Sequence, residues 1–360
     1  MKPGIRRTHP SDTVTPIEPL RIDRRPRAGA RFLLGTVFVA CAVAASVRMG
    51  AIASWTGYAR AEAAGDVVVE SRQLEIGGAL ITVNLVAGRT DLPSQRLFAW
   101  VTRAGRAVAM YYGGFPVQRA EVNVRPTPGR DGVFHGFTFC PDSGTLTTRI
   151  SVGEHTSEEE LADDWMMTHE LVHMSFPAMA DEHHWIEEGI ATYVEPIGRA
   201  QDGQIPVESV WQQLVEGLPK GEPGPSDGGL DHTHTWGRTY WGGALFCVMA
   251  DVGIRRATKN RMGLEDALRG IVAAGGTMDH DWTIERAFGT GDKATGTTVL
   301  MGLYEKMKAA PAPVDLEQLW RELGVVANGR NISFRDDAPL AAIRKAITEP
   351  PRAKLAPVKP

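Results

Sequence analysis

Apolar and polar residues alternate from residue 66 to 88, in "DVVVESRQLEIGGALITVNLVAG". That period of two, with its valine and isoleucine content, predicts two β-strands meeting at Gly77-Gly78. The period then changes. In "LPSQRLFAWVTRAGRAVAMYYGGFP" the residues Leu97, Val101, Ala104 and Val108 recur every three or four positions, which predicts a helix stopped by Gly113-Gly114. Three strand-like stretches follow, "AEVNVRP", "GVFHGFTF" and "TLTTRISV", the last alternating from Leu146 to Val152. Next comes "HTSEEELADDWMMTHELVHMSFP", read as one helix capped by Thr156 or Ser157, acidic in its first turn and ended by Pro177. Beyond it helical spacing dominates, over 184–197, 205–217, 239–252, 262–274, 298–309 and 314–323. A glycine- and proline-rich loop, "LPKGEPGPSDGGLDHTHTWG", interrupts the series. No internal repeat is present. The order predicts an α+β fold, with an N-terminal subdomain over 66–176 and a helical C-terminal subdomain over 177–348, closed by a flexible tail at 349–360.

The N-terminal part has no such periodicity. Residues 1–31 carry Lys2, Arg6, Arg7, Arg21, Arg24, Arg25, Arg27 and Arg31 among prolines, and are expected to form a disordered basic arm. The run "FLLGTVFVACAVAASV" follows, uncharged until Arg48. Extended to 32–56 it is long enough to cross a bilayer, and the arginines before it predict a cytoplasmic N-terminus with the remainder exported. The expected location is therefore membrane-anchored on the outer (periplasmic or extracellular) side, or secreted if a small-x-small site such as Ala51-Ile52-Ala53 is cut. The composition is that of an ordinary globular protein, 43% hydrophobic and 23% charged. A formal net charge of -4 gives no general attraction to nucleic acid. Of the three cysteines, Cys140 and Cys247 lie in the exported part, where they either pair or stay as free thiols.

The chemistry concentrates in "HELVH", residues 169–173. On a helix each residue turns about 100°, so His169 and His173 stand about 40° apart on one face, with Glu170 about 60° beyond His173. A metal held by both imidazoles leaves the Glu170 carboxylate beside it, where a general base belongs. The same residues also suit the solvent-facing side of a helix packed through Trp165, Val172 and Phe176. A catalytic zinc site needs a third protein ligand. "DEHHWIEEGIATYVE", residues 181–195, offers Glu187 and Glu188 at a distance that allows a return helix, and helical phase does not separate the two.

"HELVH" followed by "WIEEGIATYVE" resembles the gluzincin zinc metallopeptidases of the zincin superfamily, above all the catalytic domain of the alanyl/leucyl aminopeptidase family. That resemblance implies a zincin-like, thermolysin-like fold, a Zn²⁺ cofactor, a peptide or protein substrate, and Glu188, immediately before Gly189, as the third ligand beside His169 and His173. It further implies Glu170 as general base. "TYWGGALF" matches the family's Tyr-x-x-Gly pattern and implies Tyr240 as the donor to the oxyanion. The chain departs from the family in lacking a Gly-x-Met-Glu-Asn segment, so the choice between endopeptidase and aminopeptidase is open.

Lesser expectations accompany these. The strand at 146–152 is expected to be an edge that pairs with substrate. Glu195 or Thr192 is expected either to orient a histidine or to lie on an exposed polar face. His232 and His234 either line the cleft or are solvated loop residues, and His183 and His184 are expected at the surface. The competing reading is a gluzincin-like envelope module that binds without cutting.

Overall fold

The computed structural model describes residues 66–350. The predicted basic arm, the membrane segment at 32–56 and most of the predicted tail lie outside the described residues. Among the described residues no helix is long and apolar enough to cross a membrane.

Strands β1 (Val68–Ile76) and β2 (Ala79–Val86) form an antiparallel hairpin, with Ile76 paired to Ala79 across a two-residue turn. Gly77 and Gly78 both sit at positive φ, 57° and 86°, the backbone that such a turn requires. Helix α1 (Ser94–Tyr112) crosses back to β3 (Arg119–Thr127), which pairs parallel to β2. Strands β4 (Val133–Phe139) and β5 (Thr147–Gly153) complete a five-stranded mixed sheet of order β1-β2-β3-β5-β4. The inward residues Ile81, Val83, Val122, Val124 and Ile150 pack against Leu97, Val101, Ala104 and Val108 of α1, all buried. The alternation and the helical spacing therefore point at each other across one core.

The sheet order corrects one expectation. Strand β5 is interior, flanked by β3 and β4, so the edges are β1 and β4, of which β4 is the one that meets the histidine helix. Alternation along β5 marks its two faces but carries no information about which strand lies outermost.

A second correction concerns the histidine helix. Ser157 does cap a helix, through a reciprocal pair of bonds with Glu160, but that helix, α2 (Glu158–Asp163), ends after six residues. The chain breaks at Asp164 and restarts as α3 (Met166–His173). Helices α4 (His184–Gln201), α5 (Val207–Gly217) and α6 (Gly243–Ala257) follow, the last preceded by a π-helical turn over Gly237–Gly242. The remainder comprises α7 (Leu264–Ala273), α8 (Ile284–Thr295), α9 (Val299–Met307), α10 (Leu316–Leu323) and α11 (Ala341–Thr348). Helices α8 and α11 are additional to the sequence reading. The helices-only expectation also fails at β6 (Val325–Asn328) and β7 (Asn331–Phe334), a hairpin of four-residue strands too short for alternation to register.

Candidate metal centre

The break at Asp164 makes the start of α3. Its carboxylate accepts hydrogen bonds from the Met166 N–H at 3.0 Å and the Met167 N–H at 3.1 Å, doing the work of an N-cap. The Trp100 indole N–H, donating at 2.9 Å, holds that carboxylate from helix α1. Helix α3 is buried along almost its whole length, with His169 2% and Glu170 1% exposed. The two residues do not lie on a solvent-facing stripe. Four charged or titratable side chains are instead brought together inside the protein.

Helix α4 supplies the fourth. Glu188 Oε2 lies 3.1 Å from His169 Nε2 and 3.8 Å from His173 Nε2. Ligand-capable atoms of His169, Glu170 and His173 also lie within 4.8 Å of one another. Glu187 turns elsewhere, accepting from the Met179 N–H at 3.3 Å and bonding His184 Nδ1 at 3.1 Å. The structure thus separates the two glutamates that helical phase left equivalent.

Two glycines explain why α4 and the Tyr240 segment meet here. A Cβ on Gly189 would come within 2.4 Å of the Gly243 backbone, and one on Gly243 within 2.0 Å of the Trp185 carbonyl oxygen. The backbones of α4 and α6 touch at this crossing. Glu188 precedes one contact glycine by one residue and Tyr240 precedes the other by three, so the crossing delivers both side chains to one place. The π turn widens the backbone at Tyr240, a distortion frequent at functional sites. The buried Tyr240 ring stacks with the His169 ring, centroids 6.3 Å apart, and with the Trp236 ring at 5.8 Å.

Strand β4 closes the site from the sheet. Gly136 faces Glu170, and a Cβ there would stand 2.8 Å from Glu170 Cγ. The Thr138 hydroxyl lies 2.8 Å from the Glu170 carbonyl oxygen and 3.2 Å from its Oε2. Sequence reasoning missed both residues. Their signal was the alternation at the end of "VFHGFTF", which puts Gly136 and Thr138 on the face opposite His135, Phe137 and Phe139. His184 was expected at the surface and is only partly there, since its Nε2 lies 3.3 Å from Glu188 Oε1. Glu195 is buried and bonds Arg199 at 2.7 Å, contrary to an exposed polar face. His232 and His234 are exposed, and Thr192 and His169 line the same cavity.

Electrostatics separate the roles. Burial pushes the Glu170 carboxyl up to about 7. Burial acts on Glu188 too, but the imidazoles of His173 and His169 outweigh it and hold that carboxyl at about 2. Burial lowers His173 to about 4, keeping its imidazole neutral. Glu170 Oε1 is buried with no hydrogen-bond partner among the described residues, and His184 Nε2 is the cation-capable group beside Glu188 Oε1.

This donor set fits a divalent cation. Ligands held about 2.0–2.1 Å from a tetrahedral zinc stand roughly 3.3–3.4 Å from each other, and the two distances at Glu188 bracket that value. The buried Glu188 carboxylate carries a charge that a doubly positive ion balances, and buried charges are otherwise expensive.

No family model matches the sequence, and no curated protein does. Solved structures do match. An aminopeptidase N family protein from Idiomarina loihiensis aligns over 71% of this chain and 49% of its own, at 12% identity and a TM-score of 0.52. The chain shares its fold with an aminopeptidase N family protein. An M1 zinc metallopeptidase from Deinococcus radiodurans also aligns, over 68% of this chain and 54% of its own, at 16% identity and a TM-score of 0.44. The chain spans about half the length of these proteins.

Proposed function

We propose that the protein is a zinc-dependent peptidase with a zincin-like catalytic domain, in which His169, His173 and Glu188 hold the metal. The observation that carries this is the convergence of two imidazole Nε2 atoms on one Glu188 oxygen, with the Glu170 carboxylate alongside. When bound, zinc supplies Lewis acidity, which acidifies water and polarises a peptide carbonyl. Glu170 Oε1 takes the proton of the attacking water and returns it to the leaving nitrogen. A carboxyl shifted towards neutrality suits a group that must both accept and release a proton. The Tyr240 hydroxyl donates to the carbonyl oxygen as it gains charge, and loss of such a donor typically costs ~10²–10³ in rate. The free edge of β4, which runs past Glu170, is the strand that pairs with substrate backbone, in the place expected of β5. Residues 32–56 anchor the domain on the outer side of a membrane, as their apolar content and the preceding arginines argue.

The test is metal analysis and peptide hydrolysis on the wild type and Glu170→Gln. Zinc retained in both with hydrolysis lost in the variant is the expected result. A wild type that retains zinc and cuts no peptide in a broad library would leave the binding-module reading in place of this one.

A further inference from the structure

A cavity of about 350 Å³ opens beside His169 and Tyr240. None of its lining residues comes from β4, so it is separate from the edge that would hold a peptide backbone. Its walls are aromatic. Trp165 stands edge-on to His169, with centroids 5.5 Å apart and planes at 90°, and Trp236 stacks on Tyr240 at 27°. Trp241 completes the lining. It is fixed from behind, because a Cβ on Gly217 would lie 2.0 Å from its ring and one on Gly221 2.2 Å from its backbone. Gly217, at the end of α5, makes room for the indole, and Gly221, in the 3-10 turn after it, makes room for the Trp241 backbone. Trp236 has 49% of its surface exposed, unusual for so large an apolar side chain on a finished surface.

The charges do not contest this character. Glu195 and Arg199 are both buried and form an ion pair at 2.7 Å, so they neutralise each other. Asp163 and Lys220 are exposed, and the Lys220 ammonium sits 5.6 Å from the Trp241 centroid, where it disfavours a second cation. The aromatic wall starts at the two residues assigned to the metal and to the oxyanion, so its occupant belongs to the residue adjoining the cut bond.

We propose that this cavity is a specificity pocket for an aromatic side chain of the substrate, a neutral ring of tryptophan, tyrosine or phenylalanine next to the scissile bond. The proposal rests on the peptidase reading for the word substrate, but not for the pocket itself. An indole or phenol ring fits within 350 Å³ and meets rings on several sides, an arrangement that adds to simple burial.

Two measurements on the full chain test it. The zinc-loaded protein is incubated with a diverse peptide mixture and the cut sites are mapped by mass spectrometry. Aromatic residues should exceed alanine at one flanking position by roughly tenfold or more, and Trp236→Ala should shrink that ratio. Separately, binding of N-acetyl-tryptophanamide and N-acetyl-alaninamide is titrated against Glu170→Gln with and without Trp236→Ala. The aromatic amide should bind about tenfold more tightly, with the difference dependent on Trp236. Cutting without aromatic preference at either flanking position overturns the pocket and leaves the peptidase reading intact. Binding of the aromatic amide without any cutting keeps the pocket and removes the peptidase. Neither cutting nor binding removes both.

Discussion

Gly136→Ala tests the placement of the proposed base with a single methyl group. Gly136 lies on the edge strand with extended backbone, so alanine meets no conformational barrier there. The added Cβ would stand 2.8 Å from Glu170 Cγ and 3.2 Å from both Cδ and Oε1. Carbon atoms in contact prefer about 3.5–4.0 Å, so something must move by roughly 0.7–1 Å. Glu170 is 1% exposed and its carboxylate is tied to Thr138 at 3.2 Å, which makes the side chain the part that is displaced. A misplacement of that size at a reacting group costs up to about 100-fold in rate. Stability should change far less. Replacing a strand glycine returns about 0.5–1 kcal/mol, while overpacking costs about 1–3 kcal/mol. The expected result is kcat/KM reduced by about 10–100-fold, zinc content unchanged, and a melting temperature within several degrees of wild type. Gly302→Ala is the control, since no atom lies within 4 Å of its Cβ position. It should leave activity untouched. Wild-type kcat/KM in Gly136→Ala would show that Glu170 does not act from where it stands.

Other expectations follow from the same geometry. Glu188→Ala should weaken zinc binding by more than the roughly 10–100-fold typical of residues behind the ligands, as read by competition with a chelator. An affinity equal to wild type would remove Glu188 from the ligand set. Gly243→Ala drives a methyl group to 2.0 Å from the Trp185 carbonyl oxygen, where only backbone can yield. It should destabilise the protein by about 3 kcal/mol or more, measured by thermal unfolding. Chelation should lower the melting temperature of the wild type by about 5 °C, the effect of losing a ligand present at some 100 times its Kd, and should do much less to Glu188→Ala. Cys140 is exposed and Cys247 buried, both as free thiols, so alkylation followed by peptide mapping should label Cys140 quickly and Cys247 only after unfolding.

The sheet and α1 were legible because each signal was local. The Gly77-Gly78 turn, the alternation around it and the four apolar positions of α1 are set by neighbours a few residues away. The five proposed site residues were legible for a related reason. His169, Glu170 and His173 share one helix turn, and Glu188 and Tyr240 each precede a glycine that marks a backbone crossing. What escaped was set by long-range packing. Whether β4 or β5 lies at the edge depends on strand order. At the interruption, the Asp164 carboxylate is held by an indole 64 residues away. Gly136 and Thr138 gain their meaning from Glu170, more than 30 residues later, and no period within β4 contains that information.

Folding alone gives no reason to bury the polar cluster at the crossing of α3 and α4. Glu170 has a buried carboxylate oxygen without a hydrogen-bond partner among the described residues, and a buried unsatisfied group costs about 1–3 kcal/mol, more when charged. A hydrophobic pair of similar volume would pack the same space more favourably. The surrounding chain has nevertheless arranged small residues so that these side chains fit: Gly136 clears Glu170, while Gly189 and Gly243 let α4 and α6 cross backbone to backbone beside Glu188 and Tyr240. Each of those glycines weakens its own helix or strand. On the zinc reading proposed above, a divalent cation would recover that cost. The metal-dependent difference in melting temperature between wild type and Glu188→Ala therefore tests whether the cluster is a metal site.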